Sequence, residues 1–313
     1  MRCTSAGASW PGSSRSTRVS PATDANRLTA SEVTVGPPGP VPSLLVSTPP
    51  PAHVLAAFGA GSAQPENLSG GRGLAFRCGD VVFKPVENTA ESSWIAATFE
   101  QLRVSGIRVA RPVRSSDGRW VVAGWSAQRF VSGRVEPRYN EIIETSLVLH
   151  EALAAVPNPR YLRDRSDLYS WADRLAWGEP VKGPWELGDG HGARLFHELA
   201  IGRKPVDLPM QVVHGDMFCN VLFAGSAPPA VIDITPYWRP AVWSAAVIAV
   251  DALSWGGAQT ELLEDWSDLP EWPQMLLRAL MFRLAVSLSH PRSTPSSMVE
   301  MLSAAELIRP FLD

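Results

Sequence analysis

A chain of 313 residues, 45% of them hydrophobic, has ample material for the core of one large domain or two lobes. Its formal net charge of -3 offers no basic stripe to neutralise phosphates, which argues against a nucleic-acid partner. Three cysteines, Cys3, Cys78 and Cys219, are far apart and odd in number, which speaks against a disulfide framework or a zinc site and points to a reducing cytoplasm.

Residues 1–50 are rich in Ser, Thr, Pro and Gly and lack hydrophobic periodicity, so the expectation there is a disordered, low-complexity segment. Arg2, Arg15, Arg18 and Arg27 give it a basic cast, but no apolar stretch follows them, and a secretory signal is not expected. A targeting segment and a leader ahead of a later start both stay open. The longest apolar run, 241–253, is interrupted by Ser244 and Asp251 and falls short of the roughly 20 residues a bilayer requires. It reads as a buried helix, and no membrane segment is inferred.

From Pro51 onward the pattern changes. Residues 52–58 predict a short helix, and 66–77 read as strand, glycine turn and strand, with Gly71 and Gly73 in the turn. Such a turn can fold over phosphates, because amides without a Cβ in the way approach closely, or it can be only a hairpin. Gly79-Asp80 signals a tight hairpin into the next strand, 81–85. That strand carries Lys84. Lys84, Lys182 and Lys204 are the only lysines among 28 basic residues, so a lysine kept inside an apolar run is unlike the chain's ordinary usage.

A helix is predicted over 89–102, with Ile95, Thr98 and Leu102 at helical spacing and Glu91 four residues ahead of Ile95. Glu91 should therefore face inward and Glu100 outward. An inward carboxylate needs a partner, because an unpaired buried charge is costly, and Lys84 is the available cation. The alternative is a first-turn Glu that favours the helix dipole. Residues 108–113 and 119–123 predict a hairpin across Ser115-Ser116-Asp117-Gly118, followed by a hinge at 125–133.

The remainder reads as mostly helical. Segments 140–156, 165–177 and 193–201 are predicted helices, the first with Ile142, Ile143, Leu147 and Leu153 inward and Pro157 as its stop. Glu261, Glu264, Asp265, Asp268 and Glu271 form an acidic run, which by its charge alone reads as a solvated helix face or loop.

Between these helices lies an apolar strand, Gln211 to His214, then Gly215-Asp216, then Asn220, and after a short ribbon Ile232-Asp233. With 224–229 as the connecting loop, Phe223 would lie opposite Ala230 and Asn220 opposite Asp233. Two oxygen ligands then meet beside Asp216. Hard oxygens suit Mg²⁺, which takes the rest of its shell from water and substrate phosphates, and the remaining acid is free to orient an attacking hydroxyl. His214 is expected to lock the loop by hydrogen bonding.

His-Gly-Asp, then Asn, then Ile-Asp resembles the catalytic and metal loops of the aminoglycoside phosphotransferase and choline kinase group, small-molecule relatives of the protein kinases. Four positions separate Asp216 from Asn220 where that group usually has five, a spacing that resembles an actinobacterial branch of it; Asp233 is followed by Ile-Thr instead of Phe-Gly. The resemblance spans about residues 60–260 and implies an α+β, bilobal, protein-kinase-like fold. A five-stranded antiparallel lobe with one helix (51–131) would bind nucleotide, and a larger helical lobe (132–313) would carry the catalytic and metal loops. It further implies that Lys84, held by Glu91, anchors the α and β phosphates of ATP or GTP under Gly71 and Gly73. Asn220 and Asp233 would hold Mg²⁺, Asp216 would act on the hydroxyl of a small-molecule acceptor, Asp251 would either brace the catalytic loop or only cap a neighbouring one, and the acidic run at 261–271 would hold a cationic acceptor. A nucleotide-binding scaffold without turnover is the alternative, since the shortened loop could misplace the metal.

Overall fold

The structure, a computed structural model, describes residues 48–68 and 74–312. Two hydrophobic cores divide it. The smaller gathers Val54, Leu55, Phe58, Cys78, Val81, Phe83, Val122 and Ala127. It forms where the helix α1 (Ala52–Ala57) covers one face of a sheet, and Phe58 packs edge-on against Phe83 with ring centroids 5.7 Å apart.

That sheet runs β1 (Glu66–Asn67), β2 (Phe76–Cys78), β3 (Val81–Pro85), then β7 (Trp125–Arg129) and β5 (Pro112–Val113) in spatial order, all antiparallel, with β6 (Val121–Val122) also against β7. The β2–β3 hairpin turns where expected, on Gly79 with φ of +64°. Two expectations are corrected here. Trp125–Arg129 is not hinge but the strand beside β3, pairing Ser126 with Lys84, so any hinge starts after Arg129. The turn at 115–118 forms, yet its two arms do not pair with each other; both lie against β7. β7 offers the edge away from β3, and both arms lie along it, Val113 opposite Ala127 and Val121 opposite Ser126.

The predicted strand 108–113 is also split. Its first part, β4 (Arg108–Val109), leaves this sheet and pairs parallel with a C-terminal hairpin, Ala230 opposite Arg108. Helix α2 (Thr89–Gln101) starts on Asn88, whose side chain accepts from the Ala90 and Glu91 amides. Its burial centres on Ala96 and Phe99, one position on from the expected stripe, and leaves Glu91 half-buried at the edge.

The larger core is helical. α3 (Tyr139–Leu153) buries Ile142, Ile143, Leu149 and Leu153, α5 (Leu168–Trp177) and α6 (His191–Ile201) follow, and α7 (Ala241–Asp251) is buried almost all round, as a helix apolar on every face must be. α9 (Trp272–Ser289) packs against α5, α6 and α7, and α10 (Pro295–Ile308) closes the end. The helix expected at 165–177 begins later. A separate turn, α4 (Arg160–Asp164), precedes an extended Arg165, because Arg165 turns inward to bind Asp167 and donate to the Pro236 carbonyl, while Asp167 caps α5 through the Ser170 amide. The short α8 (Glu261–Glu264) carries part of the acidic run, where Asp265 accepts from Asn140 Nδ2. No helix among the described residues is long and apolar enough to cross a membrane.

Candidate functional site

Two short ribbons build the site. β8 (Gln211–His214) pairs with β11 (Pro236–Arg239), and β9 (Val221–Ala224) pairs with β10 (Ala227–Val231). The polar loop 215–220 joins the first ribbon to the second, and 232–235 brings the chain back. Register in β9–β10 differs from expectation. A two-residue turn, Gly225-Ser226 with Gly225 at φ +56°, sets Ala224 opposite Ala227, and an irregularity at Pro228-Pro229 then sets Ala230 opposite Leu222, not Phe223. Proline cannot donate to the ladder, so the pair is displaced there by one residue. Asn220 consequently faces Ile232, whose amide donates to the Asn220 carbonyl at 2.9 Å, with Asp233 one residue beyond.

Asp233 holds φ of +51°, a left-handed conformation that aspartate tolerates better than most residues. Its carboxylate forms an ion pair with Lys84 Nζ from β3. Burial pulls the Lys84 ammonium below the usual lysine range. Glu91 is not the partner of Lys84. Burial raises the Glu91 carboxyl, and the charges that act on it are Arg165, which opposes the rise, then Asp167 and Glu87. The lysine on β3 reaches across to the C-terminal ribbon, while the edge of α2 faces Arg165 instead.

The catalytic-loop candidate is tied down from every side. His214 is fully buried. Its Nδ1 accepts from the amides of Asp216 (3.2 Å) and Thr235 (3.3 Å), which places the proton on Nε2, 3.3 Å from the Ile232 carbonyl. One imidazole thus joins both acid-bearing segments. The His214 amide donates to His150 Nε2 on α3 (2.9 Å), and the His214 carbonyl accepts from Ser244 Oγ on α7 (2.6 Å). Ser146 Oγ lies 3.2 Å from both His150 Nδ1 and Ser244 Oγ and closes the network. Burial holds both histidines neutral: it lowers His150 to about 3, with His214 adding to the effect, and His214 to about 4, against the opposing charge of Asp216. At Gly215 a Cβ would sit 2.4 Å from the Tyr237 ring, so only glycine lets the loop pass.

Asn220 Nδ2 donates to the Asp216 carbonyl at 2.7 Å, which turns Oδ1 the other way; Oδ1 accepts no hydrogen bond among the described residues. With Asp233 it offers hard oxygens of the kind Mg²⁺ prefers. No group of three or more His, Cys, Asp or Glu side chains that could hold a metal occurs among the described residues, so a cation here would complete its shell from water and phosphate. Gly71 and Gly73 lie outside the described residues.

Asp216 Oδ1 accepts from Arg283 Nη2 at 2.9 Å, and Arg283 also binds both oxygens of Asp251, its Nε at 2.7 Å from Oδ1. Burial opposes the Arg283 charge, but Asp251 and Asp216 hold its pKa above the usual arginine range; burial raises Asp251 to about 6 against Arg283. Asp251 therefore reaches the loop through an arginine. Sequence reading missed Arg283, His150, Ser244 and Arg165 as parts of the site. Arg283 had a signal: it interrupts the apolar run Leu280-Met281-Phe282 before Leu284-Ala285, where a charge survives only with partners.

No protein-family profile matches the chain, and no curated protein matches it. Solved structures do. The AMP-bound spectinomycin phosphotransferase APH(9)-Ia is 12% identical with a TM-score of 0.54, over 82% of this chain and 96% of that one. A thermostable mutant of aminoglycoside phosphotransferase APH(4)-Ia is 13% identical with a TM-score of 0.54, over 82% and 97%. A choline/ethanolamine kinase family protein from Mesorhizobium loti is 15% identical with a TM-score of 0.52, over 83% and 94%. The chain has the α+β, protein-kinase-like fold of these aminoglycoside phosphotransferases and choline/ethanolamine kinases.

Proposed function

We propose that this protein is a small-molecule kinase that moves the γ-phosphate of ATP or GTP to a hydroxyl of a small acceptor. The observation that carries the reading is the meeting of Lys84 with Asp233 beside a loop holding Asp216 and Asn220. The fold adds support, since a similar aminoglycoside phosphotransferase, APH(4)-Ia, binds AMP-PNP together with hygromycin B.

Phosphoryl transfer asks mainly for positioning and charge neutralisation. Lys84 would leave Asp233 for the α and β phosphates, with the turn holding Gly71 and Gly73 above them. Asn220 Oδ1 and Asp233 would hold Mg²⁺, which supplies charge neutralisation on the phosphates. Asp216 would orient the acceptor hydroxyl through its second oxygen and take its proton late in the transfer. His214, uncharged and spent on three backbone groups, is unsuited to act as the base.

One observation favours a second reading, a nucleotide-binding scaffold without turnover. Both carboxylates are already ion-paired, Asp233 with Lys84 and Asp216 with Arg283. Incubating the protein with γ-labelled ATP or GTP, Mg²⁺ and a panel of hydroxyl compounds separates the two. Label transfer or phosphate release that disappears in Asp216→Ala, with nucleotide binding retained, is the expected result. Nucleotide binding without turnover selects the scaffold, and turnover persisting in Asp216→Ala removes Asp216 from its role.

A further inference from the structure

The kinase reading gives Asp216 a task but does not say what aims it. Asp216 sits on a loop, its side chain is 47% exposed, and an aspartate so placed has several rotamers open to it. One oxygen is nonetheless held. Arg283, with 8% of its side chain exposed, comes from the middle of α9 and spends one guanidinium edge on Asp251 and one N–H on Asp216 Oδ1. Asp216 Oδ2 accepts no hydrogen bond among the described residues. The three residues come from three different elements, the 215–220 loop, α7 and α9, and none is a sequence neighbour of another.

We propose, resting on the kinase reading for the reaction itself, that Arg283 is a positioning residue. Anchored by Asp251, it tethers Oδ1 of Asp216 so that Oδ2 alone faces the acceptor hydroxyl. The residue type fits the task. A planar fork can grip two carboxylates at fixed angles, whereas an ammonium is a point charge that reaches one of them at a time. The helices supply the rigidity: α7 and α9 are packed against each other through the large core, and Arg283 lies between Phe282 and Leu284, both fully buried. The arrangement also explains an acid on α7 that does not touch the loop. Asp251 compensates the buried arginine, which a single carboxylate open to solvent would do poorly.

Two variants test this. Arg283→Lys keeps the charge and loses the fork. The double variant Arg283→Met with Asp251→Leu removes the buried pair together and avoids leaving one charge stranded. For each, a crystal structure reads the direction of the Asp216 carboxylate, and phosphate release from MgATP, with water as acceptor, reads turnover. The expected result is a carboxylate turned away from its present direction, with the Asn220 to Asp216 carbonyl bond kept. Turnover should fall on the order of 100-fold, as misplacement of a reacting group by about 1 Å does, with the nucleotide KM changed less than about twofold. A carboxylate that stays in place in both variants overturns the proposal, and so does full turnover in Arg283→Lys. If the wild-type protein neither releases phosphate nor transfers label to any acceptor of the panel, the kinase reading fails on its own, and the crystal structures still decide whether Arg283 aims Asp216.

Discussion

Lys84 on the β-rich lobe and Asp233 on the helical lobe close into an ion pair, although 148 positions of chain separate them in a sequence where lysine is rare. On the proposed kinase reading, Lys84, the one cation of β3, is the group that would meet the triphosphate. Lys84→Ala should weaken nucleotide binding by roughly tenfold or more, the order of a lost charge-assisted contact, while thermal stability changes little because both side chains are partly exposed. Fluorescent-nucleotide titration checks it, and unchanged affinity would separate Lys84 from the nucleotide.

Stability should depend on pH through the buried imidazoles. His150 and His214 have folded pKa values of about 3 and about 4, below the 6.5 of an exposed histidine, so the unfolded chain binds more protons between those limits. Each contributes stability that is complete above about pH 6.5 and declines by roughly 1.4 kcal/mol per unit as pH falls below it. Asp251, raised to about 6, and Glu91 and Asp173, also raised by burial, work the other way, so the net slope should be less than that of two histidines. Urea midpoints at pH 7 and pH 5 measure it. His150→Gln, which keeps an acceptor for the His214 amide, should flatten the slope, and an equal slope in that variant would refute the assignment.

Gly215→Ala tests the close approach of the loop to the ribbon behind it. The added methyl meets the Tyr237 ring, which is itself wedged against Trp243 and Phe282, so the ring has little room to yield. Overpacking of this kind costs about 1–3 kcal/mol, and denaturant unfolding should show it with an unchanged slope.

A second buried pair probes structure away from the reaction. Arg239 on β11 grips Asp173 on α5 through two hydrogen bonds of 2.9 and 2.7 Å, and both are nearly excluded from water. Arg239→Met alone should destabilise by about 3–5 kcal/mol, because it strands the Asp173 carboxylate, whereas Arg239→Met with Asp173→Leu should recover most of the loss. Equal losses in the single and double variants would mean that packing, and not charge, sets the effect.

Local rules carried the sequence a long way. Strand 81–85, the Gly79 turn, the helix after Asn88 and the apolar helix from Ala241 follow from periodicity, capping and φ preference, and each was found at or within a few residues of its expected place. The order His-Gly-Asp, Asn, Asp was also visible, because the chemistry of one short loop is written in consecutive residues.

Partner choice was not visible. Which acid meets Lys84, which arginine meets Asp216 and which histidine receives the His214 amide depend on how remote helices pack, and periodicity along one element says nothing about the charge on the next. The one-residue shift in the β9–β10 ribbon shows the same limit at short range: a glycine turn and two prolines moved Asn220 from Asp233 to Ile232. The amino-acid order by itself determined the elements and the reactive residue types. Only the tertiary structure decided their pairing, because a buried charge takes whichever opposite charge the packed core brings within reach.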